Sequence, residues 1–170
     1  MQSESARMTS AAEARFRIDA PNSRPRAVKV IALDRPSDRV VKRLAQASWN
    51  RASFFTAAAF AGAPKPDAAF SMTGWLSDLA GRTTDLLKEV DGADLVVMVA
   101  TAGENASAAP IIGEACSLKR VNTTGLIIAG AGTSDEMLAK TLSQLRPWSL
   151  MLVIASAEDY VADMLTALRA

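Results

Sequence analysis

The stretch DLVVMVATAGENASAAPIIGEAC, residues 94–116, decides the fold. DLVVMVA is short, β-branched and almost wholly apolar, which suits a strand buried on both faces of a parallel sheet. SAAPIIGEACSL, residues 107–118, has the pattern of a helix. Pro110 falls in its first turn, where a missing N–H costs least. Strand, tight loop and helix start is an arrangement that often holds a phosphate. Such loops spend several glycines so that backbone N–H groups can approach the anion. This one has Gly103 alone, beside the acidic Glu104.

The same alternation extends in both directions. AVKVIAL, residues 27–33, reads as a first buried strand. SDRVVKRLAQAS, residues 37–48, reads as a helix with Ser37 as its N-cap and Val40, Val41, Leu44 and Ala45 at helical spacing. A second strand is expected over residues 53–57. GAPKPD, residues 62–67, is a loop marked by two prolines, and a third strand is expected near residues 68–72. GWLSDLAGRTTDLLKEV, residues 74–90, is predicted as a helix, with Trp75, Leu76, Leu79, Leu86 and Leu87 on its apolar side and a bend or break at Gly81. TGLIIAG, residues 124–130, is a strand. TSDEMLAKTLSQL, residues 133–145, is a helix with Thr133 and Glu136 as a capping box. SLMLVIA, residues 149–155, is a strand, and residues 156–170 form a helix with Ser156 and Asp159 in the same box relation. Strands centred near Ile31, Val97, Ile127 and Val153 should be adjacent and buried. Strand and helix in alternation predict a three-layer α/β domain, a mostly parallel Rossmann-like sheet with helices on both faces.

The 170 residues suit one domain, and 49% apolar content can fill its core. Residues 1–24 are polar and mixed in charge. They read as a flexible arm ahead of a single domain over residues 25–170. Without an apolar run they do not resemble a secretory signal, and a cytoplasmic location is expected. Nineteen basic against eighteen acidic side chains leave a net charge of +1, so no overall field favours nucleic acid or an acidic membrane. No apolar run approaches the roughly 20 residues a membrane helix needs. Histidine is absent, which excludes a histidine triad, a histidine metal site and a histidine general base. The single cysteine, Cys116, excludes an internal disulfide and a cysteine zinc site within the chain. It falls inside an apolar helix pattern, as filler does.

Two segments carry a likeness. VKVIAL followed by DRVVKRLAQA resembles the first strand and helix of the N-terminal nucleotide-binding half of the tubulin/FtsZ family. GADLVVMVA, AAPIIGEA and TTGLIIAG are similar to its fourth strand, following helix and fifth strand. The triplet Ala108, Ala109, Pro110 is the most specific match. The likeness spans residues 28–159 and implies an FtsZ-like fold around a GTP or GDP site. The departures are in the loops. Where the family has a first glycine run, this chain has Asp34, Arg35, Pro36 and Ser37. Pro36 has no N–H to donate, and Asp34 would repel a phosphate. The glycine- and threonine-rich loop before the triplet is here residues 101–107, with only Gly103 in keeping. The later domain whose acidic residues complete GTP hydrolysis in the family has no counterpart.

Open α/β sheets bind ligands at the carboxyl ends of their strands. The candidates there are Asp34, Arg35 and Ser37, then Thr101, Gly103, Glu104, Asn105 and Ser107, then Gly130. Gly132, Thr133 and Ser134 lie nearby. They offer hydroxyls, an amide and one guanidinium to a ligand. They also suit caps and turns, except that no cap needs both Glu104 and Asn105. No catalytic residue and no metal ligand is expected, and no cofactor unless GTP or GDP binds through Arg35 and Asn105. The leading expectation is a non-catalytic domain acting by protein interaction, self-association or small-ligand binding. Six of the nine aromatic residues, Trp49, Phe54, Phe55, Phe60, Phe70 and Trp75, fall within residues 49–75. Apolar material of this kind in a proline-broken segment often marks a partner surface, so a homodimer or small oligomer through residues 49–75 is expected.

Overall fold

The computed structural model describes residues 25–60 and 75–170. The arm expected over residues 1–24, the loop over 62–67, the strand near 68–72 and Phe70 lie outside the described residues. Among the described residues, seven strands form one sheet: β1 (Val28–Ala32), β2 (Ala52–Thr56), β3 (Leu76–Asp78), β4 (Thr83–Thr84), β5 (Leu95–Thr101), β6 (Asn122–Ile128) and β7 (Met151–Ala155). Their order is β4-β3-β2-β1-β5-β6-β7. The five strands from β2 to β7 in that order run parallel to their neighbours. β3 and β4 are added antiparallel at one edge. The helices are α1 (Arg35–Leu44), α2 (Leu86–Asp91), α3 (Ala109–Lys119), α4 (Asp135–Leu145) and α5 (Asp159–Ala167). The chain is a three-layer α/β domain with a Rossmann-like sheet.

The continuous apolar runs of the central strands have a simple cause. Successive side chains point to opposite faces, and helices cover both. On one face Ile31, Phe55, Val96, Met98 and Ile127 pack with Leu86 and Val90 of α2, Ile111 and Ile112 of α3, and Leu145 of α4. On the other, Val28, Val30, Val97, Val99 and Leu126 pack with Val40 and Val41 of α1 and Val161 and Leu165 of α5. Each large side chain so buried contributes about 1.5–3 kcal/mol. α3 comes close to its neighbour because Gly113 has no side chain: a Cβ there would stand 2.6 Å from Trp148 Cε3.

Several local expectations need correction. Residues 74–90 are not one helix. Leu76–Asp78 and Thr83–Thr84 form a hairpin, and only Leu86–Asp91 is helical. Gly81 adopts φ +82°, which a helix excludes. The Asp78 carboxylate accepts the N–H groups of Ala80 and Arg82 and the Arg82 guanidinium, which fixes the turn. Those bonds, the backbone and side chain of Arg82 foremost, hold the Asp78 carboxyl below its ordinary range. The cap of α1 is Asp34, not Ser37, which sits three residues in and closes a capping box. Proline is tolerated in the first turn, so α1 begins ahead of Pro36. The cap of α4 is Ser134, not Thr133. α5 follows Glu158 without a side-chain cap, so the box expected at Ser156 does not form. Ile31, Val97 and Ile127 are buried, as expected, but Val153 is only half-buried because β7 is an edge strand.

The aromatic residues of the 49–75 segment that are described do not wait for cover. Phe55 and Trp75 belong to the core, and Phe60 stacks on Trp75 with ring centroids 5.0 Å apart. Trp49 packs against Phe54, both lie against the second core, and the Trp49 indole N–H donates to the Leu44 carbonyl at 2.7 Å. The large apolar side chains exposed among the described residues lie elsewhere: Leu118, Met137, Leu150, Met151, Ile154 and Tyr160.

Candidate functional site

From β1 the chain runs to β2 on one side, and β5 lies on the other. The strand order therefore reverses between β1 and β5, and crevices of open α/β sheets form outside the carboxyl ends at such a point. A cleft of about 660 Å³ opens there, lined by Asp34, Arg35, Asp38, Thr56, Ala58, Ala59, Glu104 and Asn105. Asp34 and Arg35 follow β1, Thr56 ends β2, and Glu104 and Asn105 follow β5. The fold thus brings together Asp34, Arg35, Glu104 and Asn105, all singled out in the sequence.

The remaining candidates have other positions. Ser37 is fully buried beneath the cleft, its hydroxyl taken up in the capping box. Thr101 holds Asp34 from behind. Gly103 adopts φ +87° and faces α4, where a Cβ would meet Met137 Cε at 2.6 Å. Ser107 donates its N–H to Asn105 Oδ1 at 3.0 Å, closing a small turn. Gly130 stands exposed after β6 and is not part of the cleft lining. A Cβ on Gly130 or Gly132 would meet nothing within 4 Å, so neither glycine marks a close approach.

The loop after β5 has the outline of an anion cradle, but most of its N–H groups are spent within the protein. Thr101 N–H goes to Asp34 Oδ2 at 2.7 Å. Ala102 N–H goes to the Ile128 carbonyl, Glu104 N–H to the Thr101 carbonyl. Gly103 N–H goes to Thr141 Oγ1 at 2.9 Å and the Met137 carbonyl at 3.0 Å. Ala106 N–H goes to Gln144 Oε1 at 2.7 Å. The loop is clamped from α4, and Lys140 adds a bond to the Gly103 carbonyl at 2.9 Å. In the turn after β1, Asp34 N–H goes to Ser37 Oγ, Ser37 N–H to Asp34 Oδ1 and Asp38 N–H to the Asp34 carbonyl.

The charges of the lining favour the opposite sign of ligand. Asp34, Asp38 and Glu104 stand against Arg35 alone. Asp38 Oδ2 is neutralised by Lys42 at 2.8 Å, while its Oδ1 is buried without a hydrogen-bond partner among the described residues. A buried oxygen of that kind is an acceptor with unused capacity. Among the described residues no group of acidic, cysteine or histidine side chains has the arrangement of a metal site. Cys116 is far from this chemistry in character: burial pushes its thiol up from 9.0 to about 12.

Sequence reasoning missed Asp38, Thr56, Thr141 and Gln144. Asp38 had a signal, since it follows Asp34 by one helical turn. Thr141 had one too: it is a polar residue on the face of α4 that carries Leu138, Leu142 and Leu145, and it is fully buried. A second concavity of about 360 Å³ lies between β7 and α5, lined by Val153, Ile154, Tyr160, Met164 and Ala167 with Asp163 as its charge. It has few polar groups to orient a ligand. No helix among the described residues is long and apolar enough to cross a membrane. No protein-family model matches the chain, and no curated protein matches it.

Proposed function

We propose that the chain is a non-catalytic α/β binding domain whose switch-point cleft takes a small ligand with a cationic or N–H-rich group. One observation carries this. Most backbone donors of the two loops are satisfied internally, while the lining sets the carboxylates of Asp34, Asp38 and Glu104 against the one guanidinium of Arg35. Arg35 and the Asn105 amide remain to orient a polar ligand. The absence of histidine from the sequence supports a binding role over acid–base chemistry. The reading of a tubulin/FtsZ-like domain draws support from the adjacency of the two matched segments, which contain β1 and β5 and lie side by side in the sheet.

The test is ligand-dependent melting. Agmatine, a small amine with a guanidinium group, should raise Tm, because a ligand at about 100 times its Kd stabilises by about 2.7 kcal/mol. Glu104→Gln should weaken the effect. GTP, GDP, ATP and NAD at millimolar concentration should leave Tm unchanged. A saturating rise with GTP that Arg35→Ala abolishes would replace this reading with a nucleotide-binding one.

A second reading, self-association into a homodimer or small oligomer, is favoured by the edge strand β7. Leu150, Met151 and Ile154 are exposed along it, Tyr160 stands nearby, and residues 150–155 carry no charge. Edge strands are ordinarily blunted by charge, proline or a bulge. Light scattering at micromolar concentration decides the matter: a particle of 18.0 kDa is a monomer and ends this reading.

A further inference from the structure

Asp34 is a carboxylate only 4% exposed, and its hydrogen-bond partners among the described residues are neutral donors. Oδ1 accepts the Ser37 N–H at 2.8 Å and the Thr101 hydroxyl at 3.1 Å, and Oδ2 accepts the Thr101 N–H at 2.7 Å. One of these donors belongs to the first turn of α1, where the helix carries partial positive charge. The others belong to the end of β5. The carboxylate therefore sits between the two strand ends that flank the switch point and receives what both direct at it. A buried carboxylate is stable there because neutral donors replace the water it has lost.

We infer that Asp34 is the specificity-determining residue of the cleft: its carboxylate is a built-in anion that takes the donors a phosphate would need and so excludes phosphate-bearing ligands. The inference rests on the reading of the cleft as a ligand site, and it explains a sequence feature that reading leaves aside. Asp34 lines the cleft and takes the Ser37 N–H of its own turn, and it brings negative charge there. It serves the protein as cap and as tie between β1 and β5, and its carboxylate oxygens occupy the donors of the anion position from within. Pro36, next but one, contributes no N–H, so the turn has no replacement donor at that residue.

The experiment removes the internal anion and offers an external one. Asp34→Gly frees the three donors at little cost to the cap, and Asp34→Ser keeps a cap acceptor but is too short to reach Thr101. Inorganic phosphate is titrated against chloride of matched ionic strength, with Tm and phosphorus NMR line width as readouts. Wild type should show no saturating response. The variants should gain one, a rise of about 5–10 °C at about 100 times Kd, with broadening of the phosphate signal. Folded variants that respond no more than wild type, or a wild type that itself saturates with phosphate, overturn the inference. If Asp34→Gly does not fold, Asp34→Ser decides. Agmatine titrated into wild type separates the two readings. No response there, with a gained phosphate response in the variants, removes the cationic-ligand reading and leaves anion exclusion by Asp34 standing.

Discussion

Asp34 and Thr101, 67 residues apart in the chain, are joined twice: one carboxylate oxygen accepts the Thr101 N–H at 2.7 Å and the other its hydroxyl at 3.1 Å. This pair ties the turn after β1 to the loop after β5, the two segments that bring Asp34, Arg35, Glu104 and Asn105 to the cleft. Thr101→Val keeps the shape and the N–H bond but deletes the hydroxyl. A hydrogen bond to a charged group is worth about 1.5–3 kcal/mol, and urea unfolding should record a loss in that range. A change below about 0.5 kcal/mol, the size of an ordinary surface substitution, would show that the second bond carries little.

Thr141 holds the same loop from the opposite side, through its bond to the Gly103 N–H. Thr141→Val should speed hydrogen exchange at Gly103 and neighbouring amides, because a part-buried donor loses one of its two acceptors and the loop opens locally at lower free energy. Exchange at β1 amides should not change. Equal acceleration in both places would mean general destabilisation and no particular clamp.

The glycines divide by what surrounds them. Gly113→Ala drives a Cβ to 2.6 Å from Trp148 Cε3, and overpacking of this kind costs about 1–3 kcal/mol. Gly130→Ala meets open space and should fall within about 0.5 kcal/mol of wild type. Parallel urea titrations compare them. A costly Gly130 variant would contradict the open space around that residue.

Phe55 is core, so Phe55→Asp should lower the stability of the folded subunit by placing an unpaired charge in an apolar interior. Circular dichroism melting should show a lower Tm or no folded state. A variant that keeps its Tm and only changes apparent mass would support the interface expected over residues 49–75.

Cys116 is buried and its thiol is raised to about 12. In the native protein it should resist iodoacetamide at pH 8, and react once urea unfolds the chain, because the thiolate is the reactive form. The folded-state value lies above the ordinary 9.0, so the thiol's contribution to stability is complete below pH 9 and is lost as pH rises from 9 toward 12. Cys116→Ala should flatten that alkaline decline. Rapid native labelling at pH 8 would contradict the burial.

The strands from β1 to β7 that run parallel were legible because their signal is local. VKVIA, LVVMVAT and LIIA are apolar at every step or nearly so, and only a strand covered on both faces tolerates that. The hairpin over Leu76–Asp78 and Thr83–Thr84 was not legible. Its leucines also fit helical spacing, and the choice was made by the Gly81 backbone and the Asp78 carboxylate, each acting over a few residues in three dimensions. Half of the cleft lining could be named in advance as residues at strand ends. Asp38, Thr56 and the α4 clamp of Thr141 and Gln144 were missed: Asp38 and Thr141 carry a local signal in their helical spacing, but nothing near any of the four states which loop it will face.

By itself the sequence determined the layers of this protein, because period and apolar content are properties of neighbouring residues and decide strand or helix before any distant contact forms. It also determined which chemistry was missing, because histidine and a second cysteine are simply not there. The tertiary structure decided where the strands stand in the sheet, and with that which turn meets which loop. Asp34 reads locally as a residue that would repel a ligand. Beside Thr101 it becomes the internal partner of donors that would otherwise be open, and that meeting exists only because β1 and β5 are neighbours while their sequences lie far apart.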